Sequence, residues 1–278
     1  MKKIALVILI LLLIGILYIA IQYGNALTSF FSLEQKELAP NLMAFIGNGG
    51  NSLVLFSRES SQVLIVDSKM FKGAKILRHY VDELVDDANI ILVNTHFHAD
   101  HAGGNKLFPD AELIASRYSQ DQWENRDGEK YADLIVEFGE TYTFTVGADS
   151  VKVCTLHGHT GGDLIVYIPT RSVLHTGDLV FNHWHPALLP RDGFDLNGWI
   201  ASLDTMITEY KADTVIPGHG NIGGAELLRE MKSYFVDFRQ ASSDAEIRAL
   251  KHRYNDYLSL PGMGFHRNRT LIAEVDTP

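Results

Sequence analysis

The sequence holds a single cysteine, Cys154, so no intrachain disulfide can form. It sits in Val151-Lys152-Val153-Cys154-Thr155-Leu156, a β-type alternation, and reads as a small buried apolar side chain. One thiol builds no disulfide framework, so it says little about compartment. No dense Lys/Arg run occurs beyond the N-terminus, and the formal charge over 278 residues is −10. Long-range electrostatics of that sign repel a phosphate backbone, which argues against nucleic acid as a partner. There is no short repeat and no low-complexity stretch. With 46% hydrophobic and 21% charged residues, disordered and collagen-like classes are excluded. The length allows one large domain or two small ones, with ample core to position a buried site.

What is present begins with Lys2-Lys3 and an unbroken apolar run from Ile4 to Ile21. As a helix the run spans ~27 Å, near the lower limit for crossing a bilayer. It is longer than the roughly 7–15 residues of a signal-peptide core, although Gly24-Asn25-Ala26 offers small residues for cleavage. Residues 1–26 are therefore expected to be a membrane anchor or signal segment, the length favouring an anchor. Its partner would be the inner membrane, through residues 4–21. Both readings put the body in the periplasm, anchored or secreted, because the two lysines tend to stay cytoplasmic. No cysteine follows the run, which excludes a lipoprotein.

Residues 28–40 read as a connector. Apolar stretches at 42–46, 52–56 and 63–66 predict a strand meander, with Gly47-Asn48-Gly49-Gly50-Asn51 as a turn. Helical spacing over 75–85 is followed by an apolar strand at 90–93, then a strand at 113–115 and a helix at 118–124. Further strands are predicted at 141–146, 151–156, 164–168, 173–175 and 214–216, with a helix at 199–210. Two terminal helices are predicted at 225–240 and 244–257. The tail from Pro261 has little periodicity and is assigned no structure. Helices between strands in both halves imply an α/β body with helices covering sheets.

The chemistry concentrates in Thr95-His96-Phe97-His98-Ala99-Asp100-His101, directly after the strand at 90–93. Imidazole and carboxylate suit Zn, Fe or Mn. In an extended segment His96 and His98 point the same way and can grip one ion, and a turn at Ala99-Asp100 would send Asp100 and His101 toward a second. These groups cannot complete two coordination shells. Three further candidates each follow an apolar strand and are flanked by glycine: His159 in Gly158-His159-Thr160, Asp178 in Thr176-Gly177-Asp178, and His219 in Pro217-Gly218-His219-Gly220.

The ordered set HxHxDH, GHT, TGD and PGHG resembles the metallo-β-lactamase fold family. The motifs cover residues 95–220, and the hydrolase domain would occupy residues 38–228, with residues 229–278 forming C-terminal helices and a tail. The resemblance implies an αββα sandwich with the site at one edge of two facing sheets. It implies His96, His98 and His159 on a first metal, Asp100, His101 and His219 on a second, and Asp178 bridging both. Two Zn2+ ions are the expected cofactor, with iron or manganese as alternatives. The implied reaction is hydrolysis of a small-molecule ester, thioester, lactone or phosphoester by a metal-bridging hydroxide, with Asp100 also orienting its proton.

Asp178 bears on the branch. Lactamases of this fold carry Cys or Ser at the equivalent place, whereas glyoxalase II-like thioesterases, lactonases and phosphodiesterases carry the aspartate. His98 argues against flavo-diiron reductases, which have Glu there. The segments around residues 176–188 and 195–199 are similar to periplasmic zinc metallohydrolases associated with quinoprotein relay and sulfur oxidation. Two other functions fit the same ligands: a mononuclear iron persulfide dioxygenase, and a non-catalytic periplasmic metal-binding partner. His183, Trp184 and His185 follow Asp178 closely and are the substrate-cleft candidates. Asp67 ends a strand and either hydrogen-bonds a ligand histidine or serves a turn. His157 is expected to face away from the metals or to fix a tautomer, and His175 to be buried in the core. Nothing recommends His79, His252 or His266 as ligands. The sequence carries no signal for oligomeric state.

Overall fold

Alternation along β3 (Ser52–Ser57) sends Leu53 and Leu55 to one side of a sheet and Val54 and Phe56 to the other, and all four are buried. A strand buried on both faces needs a layer above it and another below. In the computed structural model, which describes residues 2–127 and 131–275, both layers are present.

The first sheet has seven strands in chain order: β1 (Leu33–Ala39), β2 (Leu42–Gly47), β3, β4 (Gln62–Val66), β5 (Asn89–Val93), β6 (Glu112–Ser116) and β7 (Leu134–Val136). Its β1–β4 half is antiparallel and its β4–β7 half parallel. The second sheet comprises β8 (Thr141–Val146), β9 (Asp149–Leu156), β10 (Asp163–Ile168), β11 (Val173–Phe181) and β12 (Thr214–His219), in the order β12-β11-β10-β9-β8. Leu53, Leu64 and Val93 of the first sheet meet Val153, Val166 and Ile216 of the second in a central core.

Helices close the outer faces. Leu77 and Val81 of α2 (Phe71–Asp82) cover Val54, Ile65 and Leu92. On the far side Trp199 and Leu203 of α5 (Leu196–Glu209) and Phe235 and Phe238 of α6 (Glu226–Gln240) cover Ile165 and Leu174. The architecture is the αββα sandwich that the sequence motifs imply. Two smaller helices interrupt the first sheet, α3 (Ala99–Ala102) and α4 (Arg117–Asp127), and α7 (Asp244–Arg253) follows α6.

Three expectations change. The apolar run expected at residues 4–21 belongs to a longer helix, α1 (Lys2–Phe31), within which Ile8–Phe31 is long and apolar enough to cross a membrane. The supposed connector at 28–40 is the end of α1 followed by β1. The charged sequence Leu-Glu-Gln-Lys-Glu-Leu-Ala hides β1, but an edge strand exposes one side and tolerates such residues. The tail is not irregular: α8 (Phe265–Val275) packs on α6 by burying Ile272 and Asn268. Asn268 Nδ2 donates to Pro186 O (2.9 Å) and Tyr234 Oη (3.1 Å). An 11-residue helix is marginal alone, so these tertiary contacts, which local periodicity cannot show, hold it in place.

Candidate metal centre

The carboxyl ends of β4, β5, β9, β11 and β12 contribute Asp67, His96, His159, Asp178 and His219 to one rim of the sandwich. Past β5 the chain stays extended through His98 and then turns into the single turn of α3, which carries Asp100 and His101. Close approach needs glycine at two places. A Cβ on Gly50 would lie 2.3 Å from the His101 ring, and one on Gly218 would lie 1.9 Å from Asp178 Oδ1.

The seven residues singled out by the motifs converge. His96, His98 and His159 offer nitrogens within 4.8 Å of one another, as do the donor atoms of Asp100, His101 and His219. Asp178 stands between the two groups. Its Oδ2 lies 3.4 Å from His159 Nε2 and 3.9 Å from His96 Nε2. Its Oδ1 lies 3.1 Å from His101 Nε2 and 3.5 Å from His219 Nε2. Asp100 Oδ2 is 3.1 Å from His219 Nε2.

A second ring of contacts fixes the imidazoles from behind. His101 Nδ1 meets Asp67 Oδ2 at 2.7 Å, His98 Nε2 meets Asp192 Oδ2 at 3.0 Å, and His159 Nδ1 meets Ala187 O at 3.1 Å. Thr95 Oγ1 lies 3.1 Å from His96 Nδ1 and donates to Asp67 Oδ2 at 2.7 Å. Orienting one ring nitrogen in this way leaves the other as a donor toward the centre. Asp163 holds the His159 loop, accepting from His159 N, Thr160 N and Thr160 Oγ1.

The electrostatics suit a cation. Burial, followed by its neighbour His101, keeps His96 neutral, and burial pushes His159 down to about 3. Burial would raise the Asp178 carboxyl, but His219, His101 and His159 outweigh it and hold the group ionised. Burial likewise opposes a charge on His219, yet Asp178 and Asp100 push that imidazole up to about 9. The carboxylates thus call for positive charge here, which divalent ions supply while displacing those protons. His96 Nε2, His101 Nε2 and Asp178 Oδ1 are buried without a hydrogen-bond partner. Such groups are costly unless something coordinates them, so the donor set fits metal ions.

Above the cluster lies a cavity of ≈ 330 Å³, lined by Asp100, Asp178 and His219 and by apolar side chains including Phe30, Phe181 and Trp184. Trp184 and His185 line it. His183 does not. Leu258 N donates to His183 O and His185 N donates to Leu258 O, a pairing that leaves the His183 ring outside, 3.4 Å from Asp256 and exposed. His157 faces away toward Asp195, 3.5 Å distant, and His175 is buried with Nε2 3.2 Å from Asn51 O. His79, His252 and His266 are exposed.

Two residues at the centre carry no sequence signal of their role. Asp192 reaches His98 from 94 positions away. Lys69 is fully buried and donates to Gly47 O and Gly50 O, both at 2.6 Å. Burial drives its pKa down to about 7, while Asp67 and Asp100 oppose the fall. It pins the glycine turn against His101, a role visible only when the turn and β4 meet.

An αββα sandwich with this rim of histidines and aspartates is the frame of a metal-dependent hydrolase. The family model for the metallo-beta-lactamase superfamily matches residues 47–219, and the chain belongs to that superfamily. A metallo-beta-lactamase type 2 of Bacillus cereus is 27% identical over 190 residues, 64% of this chain and 70% of that protein. The acyl-coenzyme A thioesterase MBLAC2 of Homo sapiens is 24% identical over 230 residues, 69% of this chain and 81% of that protein. A hydroxyacylglutathione hydrolase of Erythrobacter litoralis is 34% identical over 88 residues, 32% of this chain and 33% of that protein. Among solved structures, a metallo-beta-lactamase from Pontibacter korlensis superposes with a TM-score of 0.63 at 21% identity. It covers 73% of this chain and 98% of its own, a likeness of fold.

Proposed function

We propose that the chain is a dinuclear zinc hydrolase of small esters, thioesters, lactones or phosphoesters, held to the inner membrane by α1 with its body in the periplasm. The observation that carries the two-ion reading is Asp178, whose two oxygens face different histidine groups. On this reading His96, His98 and His159 hold one ion and Asp100, His101 and His219 the other, with Asp178 common to both. Zinc suits a donor set of imidazole nitrogen and carboxylate oxygen. When bound, such ions polarise a substrate oxygen and lower the pKa of water toward ~7, which makes a nucleophile available without Ser or Cys.

The protein's own residues do the rest. Asp67, Asp192 and Ala187 O fix imidazole orientation, so the donors are preorganised rather than gathered on binding. Asp100 lies on the cavity wall with Oδ2 3.1 Å from His219 Nε2. Burial would raise its carboxyl, but His101 and His219 outweigh it and hold the group ionised, so it can accept a hydrogen bond from water there and orient it. Phe181 and Trp184 give one side of the cleft an apolar surface. The aspartate at 178 sets this chain apart from lactamases, which have Cys or Ser there, and favours the thioesterase and hydroxyacylglutathione hydrolase side of the comparisons. The test is a hydrolysis panel of carboxylic ester, thioester, lactone, phosphodiester and β-lactam with the zinc-loaded full chain. Turnover of at least one of the first four, lost in Asp178→Ala, is expected; turnover of none, or of the β-lactam alone, contradicts the reading.

A further inference from the structure

The cavity over the cluster has a polar floor and apolar walls. Phe30, Met70, Trp184, Leu189, Leu260 and Met263 line it, and no Lys or Arg stands among its described lining residues. The floor, with its metal-ligand candidates, can meet one charged group, but a second charge set against these walls would find no Lys or Arg, which is costly. An apolar group would be welcomed.

The walls also connect to α1. The Phe30 ring stacks 6.0 Å from the His219 ring, and Gly49 N donates to Phe30 O at 3.0 Å. The end of the membrane-type helix is therefore tied to the rim rather than hung on a linker. Earlier on the same helix, Gln22 and Tyr23 line a second hollow of ≈ 600 Å³, which shares His185 and Met263 with the first. At a rise of ~1.5 Å per residue this hollow lies ~10–12 Å from Phe30 along α1, toward its exposed apolar stretch. Lys251, His266 and Arg267 line it, although the chain is acidic as a whole. Basic side chains beside a membrane-crossing segment attract anionic headgroups.

We propose that the substrate is an amphiphilic acyl ester or thioester, its apolar acyl chain filling the inner cavity, and that it enters from the bilayer side through the outer hollow. The inference rests on the hydrolase reading above and names its substrate class. In the step itself the acyl C–O or C–S bond breaks and the oxygen of water joins the acyl carbon. One proton of that water ends on the leaving alcohol or thiol, the other on the released acid.

The test uses the full chain, zinc-loaded, in phosphatidylcholine vesicles, with p-nitrophenyl esters from acetate to octanoate. The value of kcat/KM is expected to rise about threefold to fourfold per added methylene. Met263→Glu is expected to cut the octanoate-to-acetate ratio by at least about tenfold, as a charge enters the wall. A second readout needs no metal: 1-octanol should shift the tryptophan fluorescence of the metal-free chain, and Met263→Glu should weaken that binding. Equal kcat/KM for acetate and octanoate, with no octanol binding, overturns the substrate class and leaves the hydrolase reading standing. Octanol binding with no turnover of these esters or of the thioester, lactone and phosphodiester panel overturns the hydrolase reading and leaves the apolar-ligand assignment. For the route of entry, Lys251→Glu with Arg267→Glu should lower the rate on octanoate carried in phosphatidylglycerol-containing vesicles relative to soluble acetate. An unchanged ratio overturns entry from the bilayer.

Discussion

Asp67 Oδ2 lies 2.7 Å from His101 Nδ1, and neither side chain is exposed. The same carboxylate accepts from Thr95 N and Thr95 Oγ1, both at 2.7 Å, so it links β4, the His-rich segment and α3. Removing it in Asp67→Ala frees the His101 ring to rotate. Metal affinity is expected to fall about 10–100-fold, as for other partners that orient a ligand. Calorimetric titration of the metal-free protein checks this; unchanged affinity in a folded variant would limit Asp67 to a turn role.

Gly50 is packed against that same imidazole. An added Cβ would stand 2.3 Å from the ring, and Lys69 anchors the Gly50 carbonyl so that the turn cannot retreat. Gly50→Ala is expected to cost about 1–3 kcal/mol of stability, the range for overpacking. Thermal unfolding with and without metal would reveal it, and the loss should be larger in the metal-loaded protein.

Acid should destabilise the body through two histidines outside the cluster. Burial lowers His175 to about 4, and burial likewise lowers His185 to about 4, with Asp256 opposing. Both lie below the ~6.5 of an unfolded histidine, so the unfolded chain binds more protons between those values. Their contribution is fully present above pH ~6.5 and is lost as pH falls toward 4. Urea unfolding of wild type and His185→Gln across pH 8 to 5 should give a shallower acid slope in the variant. Parallel slopes would mean that His185 does not titrate on unfolding.

The tail helix is held by few contacts. Ile272 is fully buried among residues that include Tyr234 and Phe238, so Ile272→Ala is expected to cost about 2–5 kcal/mol. Chemical denaturation measures it. A value below that range would show that α8 undocks without disturbing the body.

That helix marks where the sequence stops being legible. The ligand candidates were readable because each is a reactive side chain beside a strand end and a glycine, and the chain order of motifs matched a family. The two-layer core was readable from alternation such as Leu53, Val54, Leu55. Strand β1 was not, because an edge strand need not be apolar, and α8 was not, because Asn268 docks on Pro186 and Tyr234 from far along the chain. The same holds for Asp192 and Lys69, whose roles exist only through long-range contact. The His183 expectation came from proximity in sequence to Asp178, which does not fix the direction of a side chain in a loop.

Asp178 is proposed to join two groups of ligands, and metal content tests that most directly. Elemental analysis of the full chain after zinc loading is expected to give two zinc ions per chain, with oxygen-independent turnover, falling to one or fewer in Asp178→Ala. One ion per chain in the wild type, above all iron with consumption of oxygen, would contradict it.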